Sequence, residues 1–196
     1  PNFEYHPERG LLAPFEPILL SGESLIRVPA AQQSLLIALD GLRPHGITTF
    51  TVDEQQLMAA LGALAELEPL LAVQLIDAGV FVNLGTVITA ESVERASTSL
   101  LTLEVDREEA GREKLEIPRG TLKRIETPQN QRTRIYLSPS ELTDIGMGYV
   151  GLGGWVTVPS SKVGVVIDGR GRPLELPQDA EKRSQTIYNW LWELGG

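Results

Sequence analysis

Gly146, Gly148 and Gly151, in the stretch TDIGMGYVGLGGWVTVP, spell G-x-G-x-x-G. Where a strand leads in and a helix leads out, that spacing lets backbone N–H groups at the helix N-terminus meet a dinucleotide pyrophosphate. Here Gly151 is followed by LGGWVTVP, a strand pattern stopped by Pro159. The preceding PSELTDI reads as a turn or a single helical turn, not as a buried strand. With no helix to receive a phosphate, the glycines are expected to serve a wide turn or barrel corner, where positive φ and close backbone approach are needed. A loop of this kind could also receive a partner's side chain or peptide.

Few other residues have the types and spacing for chemistry. His6 and His45 are the histidines of the chain, so a Ser-His-Asp site would have to use one of them. His6 lies in a polar N-terminal stretch, and His45 in RPHGI, a turn before a strand; both are expected to be solvated. Asp40, Asp53, Asp77, Asp144 and Asp168 all fall near the ends of predicted elements, where capping and turn formation account for them. Asp168-Gly169 predicts a hairpin turn, and the RGRP beside it offers two arginines as a minor anion site. There is no H-E-x-x-H, G-x-x-x-x-G-K-[ST] or G-x-S-x-G, and no histidine-rich or acidic cluster at metal-ligand spacing. The residues therefore predict no catalytic group, no metal and no cofactor.

The balance of residue types narrows the classes further. The net charge is −9, and the densest basic group is only Arg119, Lys123 and Arg124. Phosphate neutralisation needs clustered cations, so nucleic acid is not expected as a partner. Without cysteine there is no disulfide, thiolate metal site or thiol nucleophile. That fits a reducing compartment, and a cytoplasmic location is expected. The longest apolar stretch, LLAVQLIDAGVFVNL, is broken by Gln74 and Asp77, so no membrane contact is expected. The start PNFEYHPERG lacks Met and a signal pattern, which leads us to expect a fragment or a processed chain.

The elements that must position these residues fall into two halves. EPILLSG predicts a strand, and PAAQQSLLIALDGL a helix with Ala31, Leu35, Leu36 and Leu39 on one face and Pro29 in its first turn. GITTFTV predicts the next strand. Asp53 then caps a helix over EQQLMAALGALAEL, with Gln56 as capping-box partner and Leu57, Ala60, Leu61 and Leu64 as its buried stripe. Pro69 ends or restarts that helix, LLAVQLIDAG follows with Gly79 as its stop, and VFVNLGTVIT returns to strand. From about Ser97, SLLTLEV, KLEIP, TLKRIE, TRIYLS, WVTVP and KVGVVID are short strands at close spacing. The last segment, QDAEKRSQTIYNWLWELGG, predicts a helix with Ile187, Trp190, Leu191 and Leu194 on one face and Gly195 at its end.

The expected class is α+β: a strand-helix-strand-helix-helix-strand layer over residues 1–94, a small antiparallel β-barrel or sandwich over 95–177, and a helix over 178–196. The boundary is expected within TAESVERAS.

PILLSGESLIRVP, AAQQSLLIALDGL and GITTFTVDEQQLMAALGALAELEP together resemble the last part of an actin-like ATPase fold. Within that superfamily the chain is most similar to the MutL-type family associated with glutamate mutase. The phrases DGLRPHGIT, VFVNLGTVIT and GVVIDGRGRPLELPQDAEKRSQTIYNWLWELGG carry that likeness over most of the chain. The resemblance implies an adenosine-contacting turn at Gly22, Glu23 and Ser24, with the phosphate loops and catalytic carboxylate lying upstream. Family members tend to have paired glycines at that turn; here Glu23 places a negative charge where phosphates would approach. The expectation is a non-enzymatic C-terminal module that serves assembly or partner recognition. Its partner is expected to be another protein or an upstream part of the same polypeptide. The alternative is a nucleotide-binding edge that needs upstream residues for catalysis. A third reading is a structural domain that stabilises a larger chain.

Overall fold

The computed structural model describes residues 16–92, 99–107 and 111–196. His6 and most of the expected boundary at TAESVERAS lie outside the described residues. Among the described residues the fold is α+β, with open sheets and no closed barrel. In chain order the elements are β1 (Ile18–Leu20), α1 (Glu23–Ile26), α2 (Ala31–Leu42), β2 (Ile47–Val52), α3 (Met58–Leu67), α4 (Pro69–Asp77), β3 (Val82–Thr89) and β4 (Glu91–Ser92). Then come β5 (Ser99–Arg107), β6 (Gly111–Pro118), β7 (Leu122–Ile125), β8 (Thr133–Pro139), β9 (Thr143–Asp144), β10 (Gly154–Val158), β11 (Val165–Asp168) and α5 (Ala180–Glu193).

A mixed sheet of order β1-β2-β3-β11-β7 forms the middle layer. β1 runs parallel to β2, and β11 parallel to β3, while β2–β3 and β11–β7 are antiparallel. Strands from both sides of residue 94 therefore share one sheet. Successive side chains of a strand point to opposite faces, and here both faces are covered. Val166, Val87, Leu84 and Phe50 pack with Leu35 and Leu39 of α2 and Trp190 of α5. Val165, Ile167 and Ile88 face the other way, onto Leu101, Leu103, Val105, Ile135 and Leu137. These belong to the second sheet, which is wholly antiparallel with order β10-β8-β5-β6. Burial on both sides explains why GVVI reads as an unbroken apolar run rather than an alternation. The solvent face of the second sheet carries Trp155, whose ring lies 5.3 Å from that of Tyr136 and 4.8 Å from the Arg134 guanidinium carbon.

α2 buries Leu35, Leu36 and Leu39 as its periodicity predicts, although it starts after Pro29 rather than around it. α5 buries Trp190 and Leu194, with Ile187 and Leu191 packed alongside. Its first turn is capped by Asp179, which accepts from Lys182 N at 2.9 Å.

α3 and α4 depart from expectation. α3 begins at Met58, not just after Asp53, because Gln56 takes a left-handed turn conformation and cannot complete a capping box. Asp53 is fully buried and caps from a distance, accepting from Leu57 N at 2.8 Å and Met58 N at 2.9 Å. Of the predicted stripe only Leu61 is buried, and Ala60 is exposed. The physical reason lies in the sheet. Val52 pairs with Val82, so a two-residue turn could join β2 to β3. The α3–α4 hairpin is inserted at that turn and packs chiefly on itself.

Gly46 and Gly146 fix the corner where β2 starts. Gly46 has φ +72°, and a Cβ on it would stand 2.8 Å from Gly146 Cα. Gly46→Ala should therefore cost about 2–4 kcal/mol, from left-handed strain plus overpacking. Urea denaturation measures this; a midpoint unchanged from the parent would refute the close approach.

Candidate functional site

Three places gather polar groups, a fourth is the turn at Gly22, and each grows from local chain geometry. The most buried is the end of β11. Asp168 is fully buried, and it is not the solvent-facing hairpin residue its neighbour Gly169 predicts. Gly169 instead extends the pairing with the start of β7, donating to Thr121 O and accepting from Gly120 N. The Asp168 carboxylate accepts from Arg170 Nε at 2.9 Å and Arg172 Nη2 at 2.8 Å. Arg170 N also donates to it, at 3.1 Å. Arg170 Nη2 reaches across to Asp40 of α2 at 2.7 Å, and its guanidinium carbon sits 4.5 Å from the centre of the Trp190 ring. Asp40 is thus an ion-pair partner, not merely a helix-end residue.

Burial alone would push Asp168 up, but the hydrogen bond and charge of Arg170, with the charge of Arg172, outweigh it and hold the carboxyl below its ordinary value. Burial would likewise lower Arg170, yet Asp168 and Asp40 hold it above its ordinary value. Two carboxylates meet two guanidiniums, so the cluster is neutral. The RGRP arginines are consumed internally rather than offered to an anion.

The second place is a cleft of about 460 Å³ between α5 and the β6–β7 corner. Trp190, Leu122 and Ile117 make its apolar floor; Lys123, Asn189 and Glu193 are among its polar lining. Lys123 Nζ is paired with Glu193 at 3.3 Å.

His45 is the third place, and it is not the solvated turn residue its context predicts. It is half-buried between β4 and β9, with Nδ1 3.5 Å from Glu91 and Nε2 3.4 Å from Asp144. The antiparallel pairing of Glu91 with Asp144 brings both carboxylates to it. Asp144 also accepts from Gly146 N at 2.8 Å, which shapes the start of the glycine loop. The Glu91 carboxylate, despite partial desolvation and with help from Asp144, raises the His45 pKa above its ordinary 6.5.

The last place is the turn at Gly22, Glu23 and Ser24. Gly22 has φ +122° with open space around it, and Glu23 pairs with Arg27 on the surface of the four-residue α1. Nearby, Ser21 Oγ donates to Asp53 at 3.3 Å. The turn is exposed, and the described residues bring no converging set of polar groups to it. The glycine loop at Gly146, Gly148 and Gly151 leads into β10, and no helix follows it.

His45 faces the Glu91 and Asp144 carboxylates. Among the described residues no group of three or more His, Asp or Glu is placed to hold a metal ion, and no helix is long and apolar enough to cross a membrane. A further exposed feature is apolar. The α3–α4 hairpin exposes Leu67 at 78%, Leu70 at 69%, Val73 at 53% and Ile76 at 47%. The stripe expected on α3 did not reveal it, since Leu67, Leu70, Val73 and Ile76 all lie outside that stripe. The signal was there, since Glu66 is the one polar side chain in MAALGALAEL and such an all-apolar helix needs cover on every side. No protein-family model, curated protein or solved structure matches the chain.

Two measurements check the polar clusters. Arg170→Ala takes one of two guanidiniums from the buried Asp168, leaving it Arg172 and the backbone N–H of residue 170, and strips Asp40 of its partner. It should cost about 2–4 kcal/mol in denaturant unfolding, and a loss below about 1 kcal/mol would mean that Arg172 and water suffice for Asp168. For His45, the raised folded pKa makes its contribution fully present below 6.5 and lost as pH climbs through the folded value. The stability advantage of the parent over His45→Gln should therefore shrink between about pH 6 and about pH 8. An advantage that stays level or grows over that range would contradict the placement between Glu91 and Asp144.

Proposed function

We propose that this chain is a non-catalytic recognition module serving assembly, with the α3–α4 hairpin as its contact surface. The observation that carries the reading is the hairpin's exposed apolar side chains on an insertion that the sheet does not need. β2 and β3 would meet without residues 53–81, and the hairpin adds little to either buried core. Contiguous apolar surface kept outside the core marks interaction sites in soluble proteins. On the MutL-type resemblance the module would be the C-terminal part of a larger cytoplasmic protein, and its partner another protein or an upstream stretch of the same polypeptide. In the alternative reading, Gly22, Glu23 and Ser24 form one edge of a nucleotide site; the space around Gly22 favours it, and the Glu23 carboxylate weighs against it.

A photo-reactive benzoylphenylalanine placed at Leu67 or Leu70 tests the contact in the source cells. We expect one adduct of defined mass from these positions and none from the same group at Glu175. No adduct from any hairpin position, with the chain folded, would remove the reading. Thermal unfolding with ATP or ADP separates the alternative. Ligand at a hundredfold excess over Kd would add roughly 2.7 kcal/mol, and such a gain would favour the nucleotide edge.

A further inference from the structure

We infer that the occupant of the α3–α4 surface is a protein segment presenting an apolar helical face bordered by Lys or Arg. This rests on the recognition reading above and adds the partner's chemistry. Leu70, Val73 and Ile76 are spaced for one side of α4, and Leu67 extends the apolar surface at the hairpin tip. A pair of helices with apolar side chains on its surface takes a third helix through anchors spaced three and four apart.

Charge selects among occupants. From Pro44 to Glu94 the chain has no Lys or Arg. Glu66 and Glu68 stand at the hairpin tip and Asp77 at the end of α4, and among the described residues none of the three has an ion-pair partner. Lys162, whose contacts lie at the base of the insertion, is already paired with Glu54. An apolar surface with a purely acidic margin attracts cations at the edge of whatever covers it. A second copy in antiparallel register would set Glu66 and Glu68 against Asp77, like charge on like charge. An anionic lipid surface would meet the same repulsion.

The probes are two fluorescent amphipathic peptides with identical leucine faces, one flanked by Lys and one by Glu, titrated by anisotropy into the full chain. We expect the Lys-flanked peptide to bind at least about tenfold more tightly. That preference should collapse between about 0.05 M and about 0.5 M salt. Leu70→Ser with Ile76→Ser should abolish binding, while Glu66→Lys with Glu68→Lys should reverse the preference. All four positions are exposed, so melting should stay within about 0.5 kcal/mol of the parent. Equal affinity for both peptides, or no binding of either, overturns the inference; if photo-adducts still form at Leu67, the recognition reading survives it. A dimer in ultracentrifugation that Leu70→Ser disrupts would assign the surface to a second copy. Co-sedimentation with phosphatidylserine vesicles would assign it to lipid.

Discussion

Arg170 is the joint on which the layered arrangement depends. It leaves the end of a central strand, binds the fully buried Asp168 beside it, reaches Asp40 on α2 and lies against the Trp190 ring of α5. One side chain thus ties the middle sheet to both helices that cover one of its faces. A buried ion pair adds little net stability over a well-packed apolar alternative. Its value here is geometric, because a planar guanidinium with directed donors accepts few placements of α2 and α5. The Trp190 face compensates part of the cost of Arg170 Nη1, which is buried without an acceptor.

Around that joint the sheet is dry on both sides, and this limits where function can sit. Among the strands that meet both cores, β3 and β11 carry little that solvent can reach at their centres. Polar groups collect at strand ends instead: Asp168 at the end of β11, His45 before β2, Asp53 after β2. Each is engaged by neighbours, with Arg170, with Glu91 and Asp144, and with the amides at the start of α3 respectively. Groups already paired in this way act as braces for the fold more readily than as reagents.

The hairpin follows a different logic. Its two helices satisfy their own backbone hydrogen bonds and cover only Leu61 and Ala72 fully. The rest of its apolar surface is an unspent driving force, of about 25 cal/mol for each Å² removed from water. Under the proposed recognition role, the acidic residues at its edge would oppose like-charged partners.

What the sequence by itself determined was local. The faces of α2 and α5 follow from the helical period, the restart at Pro69 from the missing N–H of proline, and the failure of the glycine fingerprint from the strand that follows it. These signals lie within a few residues of what they specify. Tertiary structure alone decided that β11 lies between β3 and β7, which converts the Asp168-Gly169 pair from a hairpin turn into a buried anchor. It alone brought Glu91 and Asp144 to His45, and left Ala60 of the expected α3 stripe exposed while Leu61 is buried. Those outcomes depend on groups far apart along the chain, and no residue pattern near Asp168, His45 or Ala60 records what will arrive beside it.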